Sequence, residues 1–274
     1  MNENDKQKYI YDSNDFYEKW DRLIESATKS REQRGKDFDP KIYDTSLAIA
    51  ILTFYGLTGD EILSLKLEDV TDSGIRGFDI DFDERSSEFL KEYKYADGFT
   101  KSNGNVLHPM SYKQNTFIRS THQKPVSKNT IKDSFNYAKI KLLPDDGWLR
   151  DLFKVSNLGN AGKFCRLYAI LEEENIKLTC MKDSVYTHLP PDLKGRIRSI
   201  LEYDSNKQTG TIVQKLRRFF TYYYVPRKKH EEKLKEEQML KGNPKLLKEV
   251  LTRRVKQMRA ELDNIQKLID LLTK

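Results

Sequence analysis

The chain reads as a mainly α protein with one small β element, an α+β domain followed by a long C-terminal helix. Three observations carry that reading. Phe16, Trp20, Leu23, Ile24 and Ala27 recur at helical spacing along one stripe near the start. Residues 46–55 form an almost unbroken apolar run, as expected of a central helix buried on all sides. Near the end, Leu251, Met258, Ile265 and Leu272 repeat every seven residues, with Val255, Leu262 and Ile269 interleaved.

Taken in order, the first helix is expected over Asp15–Lys29, capped by Ser13 or Asn14. The polar stretch Ser30–Pro40 is a connection, and a second helix should run Tyr43–Tyr55 and stop at Gly56. A short helix follows over Asp60–Leu67. Gly74–Phe82 places Ile75, Phe78, Ile80 and Phe82 in a strand-like pattern and predicts the strand or hairpin. Ser86–Tyr95 reads as helix. Ala96–Lys113, rich in Gly, Asn and Ser, reads as loop. Ser127 can cap a helix to about Leu142, and Pro144–Gly147 breaks the chain again. Further helices are expected over Gly162–Glu174, Lys194–Glu202 and Gly210–Tyr224, with Pro226 ending the last. Asn243-Pro244 then opens the heptad helix.

The bulk numbers narrow the class. Of 274 residues, 33% are charged and 11% aromatic, enough aromatic content to argue against wholesale disorder. The mean hydropathy is −0.76, and no run reaches the length of a membrane span. Cys165 and Cys180 have no metal-type spacing and suit a reducing cytoplasm, so neither metal nor cofactor is expected. Residues 207–274 hold 18 Lys+Arg and 8 Asp+Glu, a balance of +10. The other 206 residues hold 31 and 34, a balance of −3, which returns the total of +7. A positive field gathered in the last quarter points to an anionic partner, nucleic acid before others. A solvated charged helix would carry the same residues at the far end.

Gly56, Leu57, Glu61, Leu63, Lys66, Asp69 and Val70 resemble the first arginine box of the tyrosine recombinases, or phage integrases. Lys124, Pro125, Val126, Ser127, Thr130 and Ile131 resemble a second piece of that family, ahead of a helix. The likeness covers roughly Tyr43–Tyr224 and implies an integrase catalytic-domain-like fold. The family's first catalytic arginine falls on Thr58, which has neither the fixed charge nor the two-pronged donor set for a scissile phosphate. No His-x-x-Arg occurs anywhere; the matching slot, before Phe164, puts those two positions near Leu158 and Ala161. Lys101 matches the family's hairpin lysine by position only. Tyr222, Tyr223 and Tyr224 stand where a nucleophile would be sought, although three aromatics ending a helix usually serve packing.

The resemblance implies DNA contacts from the Ser127 helix. Residues 119–141 hold six basic side chains, Arg119 among them, and one acid. Lys124, Lys128, Asn129 and Lys132 are the expected groove or phosphate contacts; an ordinary exposed helix face reads the same. Lys163 and Arg166 flank the emptied slot. Gln214, Lys215, Arg217 and Arg218, then Arg227, Lys228 and Lys229, form the densest basic cluster, with aromatics interleaved.

These readings give three segments: 1–40, an N-terminal helix and connection; 41–230, the DNA-binding domain; and 231–274, a charged connection and coiled-coil helix. The expected occupation is a catalytically inactive DNA-binding protein of the cytoplasm and nucleoid, similar to the integrase-fold repressors of temperate Bacillus phages. Its partners would be double-stranded DNA and a second copy joined through Leu251, Val255, Met258, Leu262, Ile265, Ile269 and Leu272, with no membrane. An active recombinase with a rearranged site and an accessory interaction protein are the alternatives.

Overall fold

The apolar run near Tyr55 lies in the core of the first compact unit: every residue from Leu47 to Phe54 is buried. The computed structural model describes residues 9–35, 40–96, 98–101, 104–109, 115–119, 126–132, 140–176, 188–201 and 209–241, with positions 248, 252, 255, 256, 258, 259 and 262. The architecture is mainly helical. The run forms α2 (Asp44–Phe54), against which pack α4 (Glu84–Tyr95) and α7 (Val155–Glu173).

Around that axis, α1 (Ser13–Glu32) turns Phe16, Trp20, Leu23 and Ala27 inward. Phe16 meets Phe54 at 5.2 Å and Phe153 at 5.4 Å between ring centroids. The cap lies one residue earlier than expected: Asp12 accepts the Asp15 amide at 2.9 Å. After α2, a turn leads to α3 (Gly59–Ser64) and one 3₁₀ turn, so the helix expected to Leu67 ends three residues sooner. α6 (Gly147–Leu152) precedes α7, and α8 (Pro191–Ile200) starts on its proline, whose missing N–H costs nothing at a first helical turn. α9 spans Thr209–Phe219.

Three expectations are corrected. Gly74–Phe82 makes only isolated bridges, Val70 with Ile75 and Gly74 with Asp81. The described strands instead lie in the stretch read as loop: β1 (Gly98–Lys101) pairs antiparallel with β2 (Gly104–Pro109). Their glycines and polar residues carry no regular apolar alternation, so the spacing offers no strand signal. The Ser127 helix does not reach the expected Leu142. α5 covers Lys128–Lys132, and Ile140–Leu143 is already non-helical.

Pro226 was expected to end a helix. It sits instead at the second residue of α10 (Val225–Lys241), directly after a π-helical turn, Phe220–Tyr224. Proline lacks an amide and crowds the carbonyl four residues back, and a wider turn at that place relieves both effects. The chain divides into two compact units, Met1–Phe219 and Phe220–Lys274, whereas the sequence reading set its last boundary at 230/231. Among the described residues, no helix is long and apolar enough to cross a membrane.

Candidate nucleic-acid interface

Most residues of the box around Thr58 have local work. Gly56 ends α2 with φ +105°, a conformation that side chains resist. Its missing side chain also makes room for Arg166, since a Cβ there would lie 2.6 Å from that guanidinium. Arg166 crosses from α7 and donates its Nη1–H to the Tyr55 carbonyl at 2.7 Å. Thr58 caps α3: its hydroxyl accepts the Glu61 amide at 3.3 Å, and Glu61 accepts the Thr58 amide at 2.7 Å. Asp69 accepts the Lys66 amide at 2.8 Å, while Leu57, Ile62, Leu65 and Val70 are buried. Thus the box builds a helix junction, and its Thr58 side chain serves that junction.

The slot matched to His-x-x-Arg sits inside the α2–α7 contact. Leu158 is fully buried and Ala161 nearly so. A Cβ on Gly162 would overlap the Phe54 carbonyl oxygen, so the two helices touch backbone to backbone there. Any cation at Leu158 or Ala161 would be placed in this packed interior.

The basic candidates separate by environment. Lys128 and Asn129 are exposed on α5, and Lys128 pairs with Asp60 of α3 at 2.6 Å. Lys132 lies on the same helix; Lys124 falls outside the described residues. Lys163 is half-buried on α7. Arg119 is corrected: it is 2% exposed, and its Nη2 donates to the Tyr93 and Lys94 carbonyls at the end of α4, so it is an internal tie. The opposite holds on α9. Ile212, Val213, Leu216 and Phe219 are buried, leaving Gln214, Lys215, Arg217 and Arg218 exposed together. Lys215 also donates to the Leu201 carbonyl at 3.3 Å. Side chains at 214, 217 and 218, and at 215 and 218, are one helical turn apart and share a face.

Arg227, Lys228 and Lys229 belong to the second unit. Arg227 donates to the Tyr223 hydroxyl at 3.0 Å and to Glu231 at 3.0 Å, Lys228 lies over the Tyr224 ring, and Lys229 is exposed. Of the three tyrosines, Tyr223 and Tyr224 are buried, and Tyr222 is 54% exposed. On the C-terminal helix, Val255, Met258 and Leu262 are exposed at 47–63%. Leu251, Ile265, Ile269 and Leu272 lie outside the described residues. So does Cys180. Cys165 is half-buried, with its thiol 3.1 Å from the Tyr11 carbonyl. Lys101 ends β1, in register with Gly104.

A partly buried polar chain that sequence reading missed holds α4 against α1 and α2. Tyr55 donates to Asp83 at 2.5 Å, Ser86 donates to Asp83 at 2.7 Å, and the Ser86 hydroxyl meets Tyr17 at 2.8 Å. Burial pushes the Tyr55 phenol up to about 12, and raises Tyr17 as well. For Asp83, desolvation pushes upward. The hydrogen bonds from Tyr55, from the Ser86 side chain and from backbone amides together outweigh it and hold the carboxyl below its usual range. Asp83 caps α4 by accepting the Ser86 amide at 3.0 Å, while its bond to Tyr55, 28 residues away, leaves no local signal in the sequence. The described residues contain no group of three His, Cys, Asp or Glu placed to hold a metal. No family model, no curated protein and no solved structure matches this chain.

Proposed function

We propose that this chain grips double-stranded DNA without cutting it and acts as a transcriptional repressor of phage or prophage type. The observation that carries the reading is α9. Its 11 residues contain no acid, bury one apolar face, and turn Gln214, Lys215, Arg217 and Arg218 to solvent. At about 16 Å long, such a helix suits a major groove roughly 12 Å wide. Arginine forks and a glutamine amide supply both phosphate contacts and base-edge contacts. Asn129 on α5 is a second amide available for an adenine edge. Absence of strand cleavage follows from side-chain chemistry. Thr58, Leu158 and Ala161 stand at the first-arginine and His-x-x-Arg positions that the integrase likeness implies, and none can neutralise the charge of a pentacoordinate phosphoryl transition state.

Exposed Val255, Met258 and Leu262 support a second copy as partner, since a paired heptad seam would cover them. Two linked copies would read two half-sites, and linkage raises affinity without new contacts. The experiment is recovery and sequencing of genomic fragments bound by the full chain. A single enriched, two-fold-symmetric motif near promoters is the expected result. Fragments drawn evenly from the genome contradict the regulator.

A further inference from the structure

A cleft of about 760 Å³ opens in the first unit, where four segments meet: the turn after α2, residues 78–80, the second half of α7 and the end of α8. That volume falls within the ordinary range for small-ligand sites. Phe78, Ile80, Ile170 and Ile200 give the cleft an apolar wall. Phe78 is 39% exposed, so its ring offers apolar surface that a ligand would cover.

The charges decide which ligand suits that wall. Three carboxylates line the cleft, Glu61, Asp79 and Glu173, against two guanidiniums, Arg166 and Arg196. Both arginines are engaged within the protein. Arg166 donates to the Tyr55 carbonyl at 2.7 Å, and Arg196 to Glu173 at 2.7 Å and Glu174 at 2.9 Å. Glu61 accepts the Thr58 amide and closes the α3 cap. Asp79 differs from the other acids of the lining: it is exposed and has no hydrogen bond or ion pair among the described residues. It follows Phe78 directly in the chain, so one short segment brings both an aromatic ring and an unengaged negative charge. The face of such a ring attracts a cation as well as apolar carbon, and the carboxylate attracts the cation alone. An anionic ligand would meet the surplus of acids, with both arginines already occupied.

We propose that this cleft binds a small organic cation, a primary ammonium carried on an apolar body. The ammonium lies at the Phe78–Asp79 segment, and the body covers Ile80, Ile170 and Ile200. The site stands independently of DNA binding, so its failure leaves that reading untouched.

The test uses the full chain and three ligands that share one body: phenylbutylamine, phenylbutanol and phenylbutyrate, each read by titration calorimetry and thermal melting. The amine should bind at one site, roughly threefold to fivefold more tightly than the alcohol, the scale of one exposed charge contact. The butyrate should bind more weakly than the alcohol. Asp79→Asn, at an exposed position, should bring the amine down to the alcohol's affinity and leave the alcohol unchanged. Ile200→Ser, on a half-buried wall residue, should weaken both several-fold. Lack of heat and of any rise in melting temperature at millimolar amine overturns the proposal. An alcohol that binds as tightly as the amine does so too, as does an Asp79→Asn variant that keeps the parent's preference for the amine.

Discussion

At Gly162 one hydrogen atom decides how closely two helices approach. With α2 and α7 touching through backbone, Gly162→Ala must push Phe54 away and should destabilise by roughly 2–3 kcal/mol, the usual cost of overpacking. Chemical denaturation of the parent and variant checks this; equal midpoints contradict the contact. Asp83 sets a pH dependence of definite sign. Its carboxyl is held below the usual range in the folded state, so its contribution is complete above about pH 4–5 and is lost as pH falls through the lowered value. Stability profiles of the parent and Asp83→Asn should therefore converge in acid and separate toward neutral pH. A constant offset between the two curves over pH 2–7 refutes it. Neither role was legible from local pattern. Gly162 reads only as the start of an expected helix, and Asp83 draws no notice before Ser86–Tyr95, because Phe54 and Tyr55 are brought to them by the fold.

Elements with internal periodicity were legible; those defined by partners were not. The stripe on α1 and the apolar run of α2 announce themselves because burial on one face, or all faces, is written in spacing. The β1–β2 hairpin is polar, and the continuation through Pro226 depends on a π turn, so both escaped. For the candidate interface the split is the same. The exposed quartet on α9 follows from sequence alone, whereas Arg119 was misread because a buried arginine tying a helix end looks identical to a surface one in a string of letters. On α5 the structure adds a restraint: Asp60 holds Lys128. Asp60→Asn releases that ammonium toward phosphate and should tighten DNA binding by up to a few-fold, since exposed pairs are worth no more than about 1 kcal/mol. Unchanged affinity at low salt removes Lys128 from the interface.

Across the whole molecule, two units divide the work that the proposal assigns: grip in the first, pairing in the second. Replacing Val255, Met258 and Leu262 together by Ser should convert a dimer into a monomer in sedimentation and weaken operator binding by tenfold or more. A parent that already sediments as a monomer contradicts the seam. The box around Thr58 builds a helix junction through the reciprocal Thr58–Glu61 cap. The central claim is that a basic helix face binds duplex DNA electrostatically and leaves it intact. Anisotropy of a labelled duplex across a salt series tests it most directly, with the parent beside Arg217→Ala/Arg218→Ala. The account predicts a steep linear fall of log affinity with log salt, a slope shallower by roughly 2 in the double variant, and no protein–DNA adduct surviving denaturation. A parent slope near zero, identical slopes for the two proteins, or a covalent adduct through Tyr222 would contradict it.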